Sequence, residues 1–187
     1  MTPLGMLVIV CVVIVLLVPV WLTPTYNGLV RRRNQVDNAW AQVDVQLTRR
    51  YDLIPNLVET IKAYAAHERG TFEAVVRARE AAVAASGPAD KERAEAVLRT
   101  GLTGLLALAE AYPALRASGT FDSLQQELAA TEDRAAYARQ YYNDAVLAYN
   151  TSVASFPTLL VAGPLGFRAR AFFRAAEGET GPVQVRF

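Results

Sequence analysis

The sequence predicts an all-α protein: an N-terminal transmembrane helix followed by an antiparallel four-helix bundle with long helices. Three observations lead there. The stretch LGMLVIVCVVIVLLVPVWL, Leu4 to Leu22, runs 19 residues without a charge. Downstream, apolar residues recur at alternating spacings of three and four, which places them on one helix face. Clusters containing Pro or Gly punctuate that pattern, and no period-two alternation of comparable length competes with it.

The N-terminal run has the length of a bilayer core, since 19 to 21 helical residues reach about 30 Å. Trp21 stands near one end, where its amphipathic ring suits the interface, and Pro19 is tolerated close to the end of a membrane helix. An uncleaved anchor fits better than a signal peptide. Met1 to Pro3 carry no basic side chain, and VWLTPTYNG has no small-x-small cleavage site. Arg31, Arg32 and Arg33 follow the run and nothing basic but the amino terminus precedes it. The positive-inside rule then sets a short N-terminus outside and the rest of the chain in the cytoplasm. The expected organisation is an anchor and short link over residues 1–25, a bundle over 26–156 and an aromatic, basic tail over 157–187.

The first bundle helix follows Thr23-Pro24-Thr25, where Pro24 is either a kink or a full break, and runs from about Tyr26 to Tyr51 with Val36, Trp40, Val43 and Leu47 as its stripe. Ile54-Pro55 marks a break or kink, because a residue before proline avoids helical geometry. Pro55 suits a first helical turn, so a second helix runs from there to about Ala85 with Leu57, Ile61, Tyr64, Phe72 and Val75 inward. Ser86-Gly87-Pro88 stops it. The third starts near Asp90 and ends near Tyr112, with Val97, Leu98, Leu102, Leu105 and Leu106 inward; the linker PALRASGT follows. The fourth has the cleanest period: Phe121, Leu124, Leu128, Thr131, Ala135, Ala138, Tyr142, Ala145, Tyr149, Ser152 and Phe156, a coiled-coil-like seam.

Catalytic chemistry finds no foothold. A net charge of +1 gives no reason to expect a nucleic-acid partner. The single cysteine, Cys11, lies within the uncharged run, so no disulfide forms within one chain. His67-Glu68 begins like a zinc-protease motif, but Thr71 stands where the second histidine belongs. A di-iron bundle needs two Glu-x-x-His motifs; Tyr64 precedes the lone histidine and there is no second one. No nucleophile elbow or phosphate-binding glycine loop is present. The expectation is a non-enzyme without catalytic, metal or cofactor residues.

Two other features stand out. The first hairpin is dense in polar residues, Asn34, Asp37, Asp44, Gln46, Arg49, Arg50, Asp52 and Asn56, with Asn143 and Asn150 on the last helix. Such arrays most often fix register through salt bridges, and a binding surface is the alternative. The tail interleaves Phe167, Phe172 and Phe173 with Arg168, Arg170 and Arg174. It suits anionic lipid, a neighbouring subunit or the side of its own bundle. The candidate interaction surface is therefore Arg31, Arg32, Arg33, Asp37, Asp44, Arg49 and Arg50, together with Phe167, Arg168, Arg170, Phe172, Phe173 and Arg174.

The run YNGLVRRRNQVDNAWAQVDVQLTRRYDLIPNLVETIKAYAAHE, Tyr26 to Glu68, resembles the signature block of the LemA family. The segments AYPALRASGTFDSLQQELAATEDRAAYARQYYNDAVLAYN and FPTLL followed by GF resemble its second block in order and spacing. The resemblance implies a transmembrane helix and a cytoplasmic antiparallel four-helix bundle. It implies no catalytic residues, and it links some relatives to membrane remodelling and others to membrane metalloproteases. The expected role is a self-associating, membrane-anchored scaffold at the cytoplasmic face, its partners the bilayer and other copies. An adapter for another membrane protein is the alternative.

Overall fold

The computed structural model describes the backbone of residues 3–173 and, within it, the side chains of Val12, Val13 and residues 15–173. Every regular element there is helical: α1 Pro3–Lys62, α2 Arg69–Ala84, α3 Gly87–Glu110, α4 Pro113–Arg116, α5 Gly119–Ala154 and α6 Leu159–Ala162. The chain forms two compact units, Met1–Asn38 with Asp144–Arg170, and Ala39–Asn143 with Ala171–Phe187.

The structure corrects the expected transmembrane helix. Among the described residues no helix is long and apolar enough to cross a membrane. The uncharged run opens α1, which passes through Thr23-Pro24-Thr25 without a break into Arg31 to Arg33 and on to Lys62. The side chains of residues 4–11, Cys11 included, and that of Ile14 lie outside the described residues. The positive-inside orientation rested on that expected span.

Pro55 is the second correction. It neither breaks α1 nor opens a new helix. A proline inside a helix leaves the carbonyl four residues earlier without its N–H partner. Here that carbonyl belongs to Tyr51, and Arg79 Nε on α2 donates to it at 2.7 Å. A tertiary hydrogen bond thus replaces the missing local one, and the helix continues to Lys62.

In the larger unit four helical segments surround one core. Val43, Leu47, Ile54 and Ile61 of α1, Val75 and Ala82 of α2, Leu98 and Leu105 of α3, and Ala135 of α5 are all fully enclosed. Named pairs set the directions. Lys91 of α3 bonds the carbonyl of Ala82 on α2, while Gly101 faces Val75, so these helices are antiparallel. Asp44 meets Lys91 and Tyr51 meets Glu95, so α1 and α3 run parallel. Trp40 packs on Tyr142 and Arg50 meets Glu132, so α5 opposes α1. The α2–α3 turn needs Gly87, whose φ of 78° disfavours any side chain. A Cβ at Gly101 would lie 3.3 Å from Val75 Cγ2, a measure of how closely α2 and α3 approach.

The smaller unit uses the remaining parts of α1 and α5 with α6. Leu29, Val36, Val146, Tyr149, Ala162 and Phe167 are buried. Gly166, at φ 80°, turns the chain so that the Phe167 N–H reaches back to the Ala162 carbonyl at 2.9 Å. Of the expected stripes, Tyr64, Val97 and Phe156 are exposed, Trp40, Leu106, Leu124, Ala138 and Ser152 are half-buried, and the rest are buried. Tyr64 follows the end of α1 and Phe156 the end of α5, so their helical register no longer applies.

Candidate interaction site

The larger unit carries a charged layer across its core. Arg50, 5% exposed, reaches Glu95 of α3 at 2.8 Å and Glu132 of α5 at 2.6 Å through Nη1. Glu95 is 2% exposed, and its second oxygen accepts from the Tyr51 hydroxyl at 2.6 Å. Glu132 also meets Arg139 at 3.3 Å and Arg99 at 3.6 Å. Lys91, buried, pairs with Asp44 at 3.4 Å, donates to the Ala82 carbonyl at 3.1 Å and lies 5.2 Å from the centre of the Tyr51 ring. Breaking such buried pairs is costly, whereas forming them gains little net stability because both charges lose water. Their effect is to fix which residues face each other.

Burial first, then the hydrogen bond to Glu95, pushes the Tyr51 phenol far above its usual value of 10.0. The folded state holds this proton more tightly than the unfolded chain. Stability is therefore full below about pH 10 and falls above it by about 1.4 kcal/mol per pH unit until the folded group titrates. Urea unfolding at pH 9 and at pH 11 should show this loss, and Tyr51→Phe should remove this component of the pH dependence. An unchanged loss in the variant would assign it to other groups.

The residues following α6 pack on helices. In the larger unit Asn143 Nδ2 donates to the Phe173 carbonyl at 2.7 Å, and the Phe173 N–H donates to Asn143 Oδ1 at 2.9 Å. Tyr142 Oη donates to the Ala171 carbonyl at 2.7 Å. The Phe173 ring is buried 6.1 Å from that of Trp40, with the Arg139 guanidinium 5.7 Å from its centre. In the smaller unit Asn150 grips Arg170 by the same two-way bond, 2.9 and 2.8 Å. The Arg170 guanidinium meets Asp37 at 2.9 Å. Phe167 is buried edge-on to Tyr26 at 5.5 Å, with Arg33 at 5.5 Å from its ring centre.

The proposed surface residues thus scatter. Arg50, Phe167 and Phe173 are internal, while Asp44 and Arg33 are half-buried. Arg31, Arg32, Asp37, Arg49, Arg168, Arg170 and Phe172 are exposed, and Arg174 lies outside the described residues. Sequence reasoning missed Lys91, Glu95 and Glu132. For two of these a signal existed: Lys91, Glu95, Leu98, Leu102, Leu105 and Ala109 continue a four-three spacing, so the charges sit in the apolar register of α3. Among the described residues no group of three or more His, Cys, Asp or Glu is arranged to hold a metal ion.

The sequence model of the LemA family matches residues 39–187, the greater part of the chain. The protein belongs to the LemA family. Its relatives include magnetosome protein MamQ 2 and magnetosome protein MamQ 1 of Paramagnetospirillum magneticum, each 24% identical over 84% of this chain and 68% of the relative. Magnetosome protein MamQ of Magnetospirillum gryphiswaldense is 23% identical over the same shares. The LemA match begins at Ala39 and takes in the whole charged layer, from Asp44 to Arg139.

Proposed function

We propose that this LemA protein is a membrane-associated helical scaffold that self-associates at the cytoplasmic face of a membrane and helps to organise it. The observation that carries the membrane part is the surface of α1. Val15, Leu16, Leu17 and Val20 are exposed, and Arg31 and Arg32 follow on the same helix, exposed as well. Exposed apolar residues flanked by basic ones suit an anionic lipid surface, where each basic residue contributes about 1 kcal/mol. The similarity to magnetosome proteins supports a membrane setting. The charged layer supports a scaffold rather than a catalyst: its acids and bases neutralise one another across the helices and hold a rigid body in register.

Vesicle flotation of the full chain tests the membrane part. Binding to phosphatidylglycerol vesicles should exceed binding to phosphatidylcholine vesicles, and Arg31→Glu with Arg32→Glu should weaken it at least about tenfold. Equal binding of the variant would overturn the role of this surface. Light scattering in mild detergent tests the scaffold. A defined assembly supports it, and a monodisperse monomer would replace it with an adapter for another membrane protein.

A further inference from the structure

In the smaller unit the chain that leaves α5 turns large apolar side chains into water. Phe156 is 78% exposed, Leu160 64% and Leu159 52%, and Leu165 is exposed as well. No charged residue stands between Asp144 and Arg168. The segment is anchored at both ends of its last turn. Ala162 and Phe167 are buried, and the Phe167 N–H donates to the Ala162 carbonyl at 2.9 Å. Its backbone is therefore fixed while Phe156, Leu159 and Leu160 face outward. An apolar patch that folding leaves uncovered is the usual mark of an interaction surface.

We infer that the segment from Phe156 to Leu165 is a second lipid-contact surface, seated on an anionic membrane face beside α1. The inference rests on the membrane role proposed above and adds a surface to it. Two observations select lipid as the occupant. The first is position. Arg32 Nη1 of α1 donates to the Ala148 carbonyl of α5 at 3.4 Å. Tyr26, six residues earlier on α1, packs edge-on to Phe167, which lies beyond α6. The chain leaving α5 is thus carried back along α1 toward Val15, Leu16, Leu17 and Val20. The two exposed apolar stretches of this unit occupy the same end of it. The second observation is charge. The unit holds five arginines, Arg31, Arg32, Arg33, Arg168 and Arg170, against two acids, Asp37 and Asp144. Asp37 is paired with Arg170 at 2.9 Å. The whole chain has a net charge of only +1, so the positive excess is concentrated here. Arg168, exposed, follows the apolar segment directly. Apolar residues rimmed by arginine fit anionic headgroups above acyl chains, where such side chains sit about 5–10 Å deep.

The test uses the full chain with Cys11→Ser, which removes the native thiol, and phosphatidylglycerol vesicles. A nitrobenzoxadiazole label on Leu160→Cys should brighten at least about threefold when vesicles are added, and lipid-borne quenchers should reach it. The same label on Val97→Cys, an exposed position on α3, should do neither. In flotation, Leu159→Asp with Leu160→Asp should weaken binding at least about tenfold with helix content unchanged. If the chain binds these vesicles, the double aspartate variant binds equally and the two labels respond alike, this segment does not touch lipid and the membrane role of α1 stands. A label on Leu160→Cys that is already shielded without vesicles and ignores their addition would mean that protein covers the segment, which overturns the inference. If the wild-type chain binds neither phosphatidylglycerol nor phosphatidylcholine vesicles, the membrane role and this surface fall together.

Discussion

Replacing Arg50 with alanine lowers the folding stability of the larger unit by about 3–5 kcal/mol, the cost of stranding a buried charge. The loss falls mainly on Glu95. Glu132 is partly exposed and keeps Arg139 and Arg99, whereas Glu95 is enclosed and keeps the Tyr51 hydroxyl. The double variant Arg50→Met with Glu95→Leu should therefore recover much of the loss, since well-packed apolar residues often match or exceed a buried ion pair. Urea unfolding of the wild type, the two single variants and the double variant gives the coupling energy directly. A single-variant loss below about 1 kcal/mol would mean that water reaches this pair and that the layer does not set the register.

Replacing Phe173 with alanine lowers stability by about 3 kcal/mol or more, the range for deleting a large buried aromatic side chain. Its ring is enclosed beside Trp40 and Arg139, and its backbone is held by both ends of the Asn143 amide. Arg168→Glu, at an exposed position, should change stability by no more than about 0.5 kcal/mol. Thermal unfolding ranks the two, and trypsin cleavage after Arg170 should quicken in Phe173→Ala. Equal, small effects would make this part of the chain a surface strand rather than a component of the core.

The sequence by itself determined the all-helical class, most of the core and the family. Helix periodicity is a local property, so Val43, Leu47, Leu98, Leu105 and Ala135 could be placed inward from spacing alone. The stops at Ser86-Gly87-Pro88 and before Pro113 were equally local, since glycine and proline act on their own backbone. Only the tertiary structure decided where helices continue and which charges are buried. Pro55 reads as a break because its missing N–H is local, while the remedy, Arg79, comes from another helix. Thr23-Pro24-Thr25 reads as either a kink or a full break, and α1 runs through it; the expected membrane span is overturned separately, because among the described residues no helix is long and apolar enough to cross a membrane. Arg50 reads as surface because an arginine needs water or partners, and its partners lie 45 and 82 positions along the chain. The aromatic residues after α6 carry no period that assigns them a neighbour. Phe173 is held in place by hydrogen bonds between the Asn143 side-chain amide and its own backbone, which spacing along one segment does not encode.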